Sequence, residues 1–291
     1  MNDNHQFTPD RRYSEVGVDW LTLTTYSLEA FNELYYIHTG EHDQTGIKEK
    51  GSFRNYRGVV ASGALWAAGK QGQAVHYLVK ASGAKAHDLA ISLASCLSWE
   101  SFRASRIDLQ VTVPGTLDGL SVKRSAEAIV AMGRMGRPPK ITAILGETDT
   151  VYIGSRSSER MVRIYQKLGT PDGLPPRVRF EVELKGDLAS ITLKDMISGR
   201  VRIAERLAWE WNRLPIDRQH ESLRGITNEL LACKSVEPTP PPIRALPNTL
   251  RWLETVVDSS IKKLASDHDC HQPMIELLYS WLSLYSKDID G

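Results

Sequence analysis

Alternation of apolar and polar positions is densest between residues 151 and 185. Val151 and Ile153 flank Tyr152, and Val162 and Ile164 oppose Arg163, Tyr165 and Lys167. Val178, Phe180, Val182 and Leu184 oppose Arg179, Glu181, Glu183 and Lys185. A period of two is that of a half-buried strand, so the pattern predicts three strands that each turn an apolar face to a core. Residues 105–113 repeat it, with Ile107, Leu109, Val111 and Val113 against Arg106, Asp108, Gln110 and Thr112. The polar faces of all four collect tyrosines, carboxylates and bases.

β-formers at 18–26 predict a first strand, and Ser27 caps a helix over 28–37. Two further strands are expected at 58–65 and 74–80, joined by a Gly/Lys/Gln-rich hairpin connection over 67–73. His87 and Asp88 open a helix whose stripe is Leu89, Leu93, Cys96 and Leu97. Further helices are expected at 122–132, 188–212, 249–264 and 273–285. Trp209 and Trp211 read as packing anchors. Five prolines (Pro238, Pro240, Pro241, Pro242 and Pro247) mark a semi-rigid linker. The organisation is then a tail over 1–17, a main domain over 18–234, a linker over 235–247 and a helical region over 248–291. The fold class is α+β, a mostly antiparallel sheet with helices on one face. No internal repeat is visible in the residues.

Composition narrows the class. The chain has 291 residues, 41% hydrophobic and 24% charged, with no apolar run approaching the ~20 residues of a membrane helix. Three widely spaced cysteines and no basic-then-apolar leader point to a cytoplasmic protein without structural disulfides. A net charge of +1 does not advertise nucleic-acid binding, but charge is unevenly spread. Between residues 156 and 185, seven bases (Arg156, Arg160, Arg163, Lys167, Arg177, Arg179, Lys185) face four acids. Arg134 and Arg137 lie in a second basic loop, 133–140.

Paired strands would set Asp108, Tyr152, Arg163, Tyr165, Lys167, Glu181 and Glu183 on one surface. Separated carboxylates there suit a hard divalent cation, Mg²⁺ or Mn²⁺. A tyrosine beside it is a candidate nucleophile toward a phosphodiester, with neighbouring bases to neutralise phosphates. The same alternation also describes a solvent-facing sheet decorated with cross-strand ion pairs. Asp267 to His271 lacks the second ligand pair of a zinc site.

Three blocks in order carry a resemblance: Arg-Ile-Asp-Leu at 106–109, Tyr-Ile-Gly-Ser-Arg through Arg-Ile-Tyr-Gln-Lys at 152–167, and Arg-Phe-Glu-Val-Glu-Leu-Lys at 179–185. Together they resemble the replication initiation factor (Rep_trans) family, which starts rolling-circle replication of plasmids and filamentous phages and is related to conjugative relaxases. Val-Asp-Trp-Leu at 18–21 and Arg-Trp-Leu at 251–253 extend the likeness. It implies a metal-dependent nicking-closing enzyme that keeps the 5′ phosphate on a tyrosine and frees a 3′-OH. Tyr152 is then the nucleophile, with Tyr165 its rival, and Asp108 and Glu181 are metal ligands, with Glu183 or Asp19 as a third. Arg163 and Lys167 act on the reacting phosphate, while Arg156, Arg160, Arg179, Lys185, Arg134 and Arg137 hold DNA. The implied partners are origin DNA, a host helicase and polymerase, and a second copy of the chain. Thr112 stands where relatives often carry another acid. A mobilisation relaxase, a non-catalytic origin-binding control protein and a plain nuclease using water are the competing roles.

Overall fold

Strand-forming alternation and small-residue turns build one sheet in the computed structural model, which describes residues 15–41, 52–53, 56–71, 74–133, 138–168 and 175–240. The chain divides into two units, Met1–Pro241 and Pro242–Gly291, and every described residue belongs to the first. Arg134, Arg137, residues 251–253, residues 267–271 and the expected helices at 249–264 and 273–285 lie outside the described residues.

In chain order come β1 (Glu15–Thr25), α1 (Leu28–Thr39), β2 (Ser52–Phe53), β3 (Tyr56–Ala61), β4 (Ala64–Gln71), β5 (Ala74–Ser82) and α2 (Ala84–Ala94). Then follow β6 (Arg103–Pro114), α3 (Gly119–Met132), β7 (Ile141–Ile144), β8 (Thr150–Gly154), β9 (Arg160–Lys167), β10 (Arg177–Lys185) and α4 (Gly186–Ile197). α5 (Ile203–Asn212) and α6 (Arg224–Leu231) close the described part. The strands form a single antiparallel sheet in the order β2-β3-β4-β5-β1-β6-β10-β9-β8-β7.

That order contains a repeat that the residues conceal. From the centre outwards, one half runs β1, β5, β4, β3, β2 and the other β6, β10, β9, β8, β7. Each half has one helix after its central strand and another after its last. α2 packs on β1 and β5, and α4 packs on β6 and β10. Gly83 before α2 and Gly186 at the start of α4 both take a left-handed φ, 60° and 56°, where a side chain would be strained.

The helices cover one face. Ile107, Leu109, Val111, Phe180, Val182 and Ile164 are fully buried there, against Leu89, Leu93 and Trp211 of the same core. Phe180 meets Trp211 edge-on at 4.8 Å, and each such buried ring contributes a few kcal/mol. Ser27 caps α1 as expected, its Oγ accepting from the Ala30 amide at 3.1 Å.

Several expected elements differ. The strand expected over 58–65 is two, because Ser62 and Gly63 take φ of 49° and 80° and make the tight turn that twisted hairpins favour. The expected connection 67–73 is therefore mostly β4. The helix expected over 188–212 is broken between Ile197 and Ile203, with Gly199 at φ 76°. α2 ends at Ala94, so Cys96 and Leu97 both lie beyond it; Cys96 is buried in the core and Leu97 is 93% exposed. β2, β7 and α6 are additional elements.

Candidate active site

The face that no described helix covers carries the predicted chemistry, and strand register decides which side chains meet. Across it Asp108 sits between Trp20 and Glu183, and Glu183 is also paired with Met161. The adjacent row runs Glu181, Arg163, Tyr152, Thr142 over β10, β9, β8 and β7. The next pairs Arg179 with Tyr165 and Tyr165 with Thr150. Tyr152 therefore lies two strands, or about 10 Å, from Glu181.

Asp108, Glu181 and Glu183 are buried, although they stand on the open face, because arginines close over them. Arg106 grips Asp108 in a fork, Nε to Oδ1 at 2.8 Å and Nη2 to Oδ2 at 2.5 Å, and reaches Glu183 at 2.8 Å. Arg163 Nη2 is shared by all three acids: Asp108 Oδ2 at 3.0 Å, Glu181 Oε1 in closer contact, and Glu183 Oε2 at 3.9 Å. Lys185 Nζ adds a contact to Glu183 at 2.6 Å. Burial, opposed by Arg163 and reinforced by Asp108, pushes Glu181 up to about 7. Asp108 is likewise raised, by burial against the pull of Arg106. Burial lowers Arg163, but Glu181, Asp108 and Glu183 carry it above its ordinary value.

The two tyrosines differ in what surrounds them. Tyr165 donates its hydroxyl to Glu181 Oε2 at 3.1 Å, and burial followed by the Glu181 charge pushes its phenol up to about 12. Tyr152 is half-exposed and lines a cleft of about 350 Å³ with Lys140, Thr142, Gly154, Ser155 and Arg156. Gly154 has φ 106° and donates its amide to the Lys140 carbonyl at 2.8 Å, which joins this turn to the stretch before β7.

The remaining predicted bases divide. Arg156 is exposed on the β8–β9 turn, where its carbonyl takes Lys185 Nζ at 2.6 Å. Lys167 pairs across with Arg177 at the end of the face; burial, then Arg179, lower its pKa. Arg179 is buried and committed, Nε to Thr112 Oγ1 at 2.8 Å and Nη1 to Asp19 Oδ1 at 2.7 Å. Asp19, the extra residue at a register shift in β1, is thus drawn to Arg179, away from the other carboxylates. Arg160 is not brought to the site. It shares the parity of Val162 and Ile164, and on the helix side its Nε lies 3.4 Å from Glu210. Arg106 and Lys140 belong to the site and were not singled out from sequence. Arg106 had a signal, standing two residues before Asp108 on the same strand face.

Among the described residues no three Asp, Glu, His or Cys side chains converge at metal-holding spacing. The donor set of Asp108, Glu181 and Glu183 nevertheless fits a hard divalent cation in charge and atom type. A single cationic nitrogen, Arg163 Nη2, occupies the point their oxygens share.

Residues 130–267 match the family model described as replication initiation factor. Among solved structures, the rolling circle replication initiator protein from Geobacillus stearothermophilus is similar at a TM-score of 0.55 and 15% identity, covering 78% of this chain and 100% of that one. This likeness is one of fold. DynU16, described as a putative protein in the dynemicin biosynthetic locus, aligns at a TM-score of 0.20 and 9% identity over 62% of this chain and 92% of its own. No curated protein matches the sequence.

Proposed function

We propose, from the replication initiation factor match over residues 130–267 and the initiator-like fold around it, that this chain initiates rolling-circle replication by nicking one strand at an origin. The observation that carries the chemistry is Tyr152, half-exposed in a basic cleft and in one cross-strand row with Arg163 and Glu181.

In this reading the Tyr152 oxygen attacks phosphorus and the bond from phosphorus to the 3′ oxygen breaks. The phenolic proton leaves to a base or to solvent, and the departing 3′ oxygen is protonated to a 3′-OH that a polymerase extends. The 5′ phosphate stays on the tyrosine, so its bond energy is retained for resealing. Lys140 and Arg156 neutralise the phosphate in the cleft. Asp108, Glu181 and Glu183 would hold Mg²⁺ or Mn²⁺, which supplies Lewis-acid stabilisation of phosphate charge. Arg163 must release the carboxylates for that, and is then free to bind phosphate.

A second reading makes Tyr165 the nucleophile, because Glu181, with a pKa of about 7, accepts its proton directly. Its burial and raised pKa weigh against it. Incubation with supercoiled origin DNA and Mn²⁺, digestion and mass spectrometry should find a nucleotide on Tyr152. An adduct on Tyr165 reverses the assignment, and nicking without any adduct by both Tyr→Phe variants removes the covalent mechanism. A mobilisation relaxase shares this chemistry and differs in the DNA site it accepts.

A further inference from the structure

The half of the open face built by β1 and β5 is unused by the proposed chemistry, and the internal repeat says what it lacks. With Gly83 set on Gly186, the two half-sheets align strand by strand in the same register. The positions of Asp108, Glu181 and Glu183 are then taken by Thr22, Leu78 and Lys80. Those of Arg163, Tyr165 and Tyr152 are taken by Ala67, Gly69 and Gly58. At Gly58 a Cβ would come within 2.2 Å of the Trp66 carbonyl oxygen, so no tyrosine fits there. At these aligned positions the half keeps the scaffold with neither the acids nor the tyrosines.

What it carries instead is rings interleaved with cations. Trp20 has Lys80 Nζ 4.4 Å from its ring centre and Arg106 Cζ at 4.5 Å, reaching in from the strands on either side. Further along β1, Thr22 and Thr24 share this face, and the bend after it presents Tyr26, 60% exposed, with its ring 4.8 Å from that of His76. From Trp20 to Tyr26 the strand spans about 20 Å, room for several nucleotides. Trp20 pairs directly with Asp108, so the track runs without a break into the carboxylate cluster.

We infer that this face of β1 and β5 is a binding track for single-stranded DNA, stacking bases on Tyr26 and His76 and holding phosphate with Lys80, so that the strand leads into the nicking site. Aromatic faces accept any base, and cations between them follow the backbone, which is the recognition chemistry of single strands. A duplex hides its base faces and would use only the charges. Leu78 and Lys80 stand where the other half has Glu181 and Glu183, so neither position sets a negative charge against phosphate.

The inference rests on the DNA-nicking reading, and its test is separate. Fluorescence anisotropy of a labelled oligothymidylate, which needs no cleavage, is measured with the full chain and with Tyr26→Ala, Tyr26→Phe and Lys80→Ala. Tyr26→Ala should weaken binding about tenfold and Tyr26→Phe should restore it. Lys80→Ala should weaken binding and flatten its dependence on salt. Tyr26 is largely exposed, so its loss is compatible with folding, and an unchanged melting temperature checks this. Wild-type affinity in Tyr26→Ala, no binding of oligothymidylate by the wild-type chain, or equal loss of duplex and single-strand binding would each overturn the track. If a tyrosyl adduct still forms at full yield in those cases, the nicking reading survives; absence of any adduct with an intact Tyr26 effect removes the nicking reading alone.

Discussion

Replacing Arg163 with Met tests the acid cluster most directly, because the thioether keeps much of the length of the arginine and removes its charge together with the N–H donors to Asp108 and Glu181. Arg163 Nη2 is within 3.0 Å of Asp108 Oδ2, touches Glu181 and lies 3.9 Å from Glu183. Without it, three buried carboxylates share Arg106 and Lys185 as their remaining cations. Two like charges at ~4 Å repel by about 4 kcal/mol at an effective dielectric constant of 20. Breaking a buried ion pair on one side costs roughly 3–5 kcal/mol. Loss of Arg163 lets Glu181, already raised to about 7, rise further and take up a proton, which softens this, so ~3 kcal/mol is the working figure at pH 8. For a domain of this size that is a melting temperature lower by roughly 6–12 °C. The sign with pH follows from raised carboxylate pKa values. The folded state binds more protons than the unfolded one between the ordinary carboxylate range and about 7, so the cluster weakens the fold as pH rises through that window. The variant should therefore lose much less at pH 5 than at pH 8. Millimolar Mn²⁺ should raise its melting temperature more than that of the wild type, in which Arg163 competes for the same oxygens. Scanning calorimetry at both pH values, with and without Mn²⁺, measures all four. Equal losses at pH 5 and pH 8, or a smaller Mn²⁺ shift in the variant, would refute the reasoning.

Tyr152→Phe should abolish nicking of origin DNA while leaving its binding within about twofold, read by gel relaxation and anisotropy. Tyr165→Phe removes only a donor to Glu181, should cost about 1 kcal/mol in urea unfolding, and should keep nicking. Gly58→Ala places a Cβ 2.6 Å from that of Ala67 and 2.2 Å from a carbonyl oxygen, so the β3–β4 hairpin must shift; urea melts should show a loss of roughly 1–3 kcal/mol. Mn²⁺ affinity of the wild type, measured calorimetrically, should tighten as pH rises through about 7, because Glu181 must lose its proton to bind; a flat profile from pH 6 to 8 would exclude Glu181 as a ligand.

Much of the site was legible because a period of two sorts side chains by face without any knowledge of neighbours. Asp108, Tyr152, Arg163, Tyr165, Glu181 and Glu183 do share one surface. Order and register are long-range properties, and they rearranged the roles. Asp108 faces Glu183 directly and Glu181 only diagonally, so Glu183 is as central as the other two. Arg163, expected to meet phosphate, is the common counter-ion of the acids. Arg160 belongs to a basic run, but its parity with Val162 and Ile164 puts it on the helix side, beside Glu210. The Ser62–Gly63 turn was obscured because Gly58, Ala61, Ala64, Ala67 and Ala68 make both flanking strands small and weakly patterned. Leu97 fits a helical stripe by spacing alone, but spacing does not show where the helix stops.

The repeat was hidden for a physical reason that bears on function. A β-sheet half is specified by alternation, turns and one strained glycine, and those requirements admit many residues at each position. Gly83 and Gly186 are held in common because a left-handed φ tolerates little else. The polar face carries no such constraint from the fold, since its side chains do not build the core. It is therefore where two copies of one scaffold can diverge furthest at least cost in stability. One copy carries Asp108, Glu181 and Glu183 under two arginines, an arrangement whose desolvation makes it a poor source of stability. The other carries Thr22, Leu78 and Lys80, which need no counter-ions of that kind. Under the proposed nicking function, one half would keep a cluster that adds little stability and the other would dispense with it to hold the strand. The central pair β1 and β6, where Trp20 meets Asp108, is the seam at which a held strand would pass from one to the other.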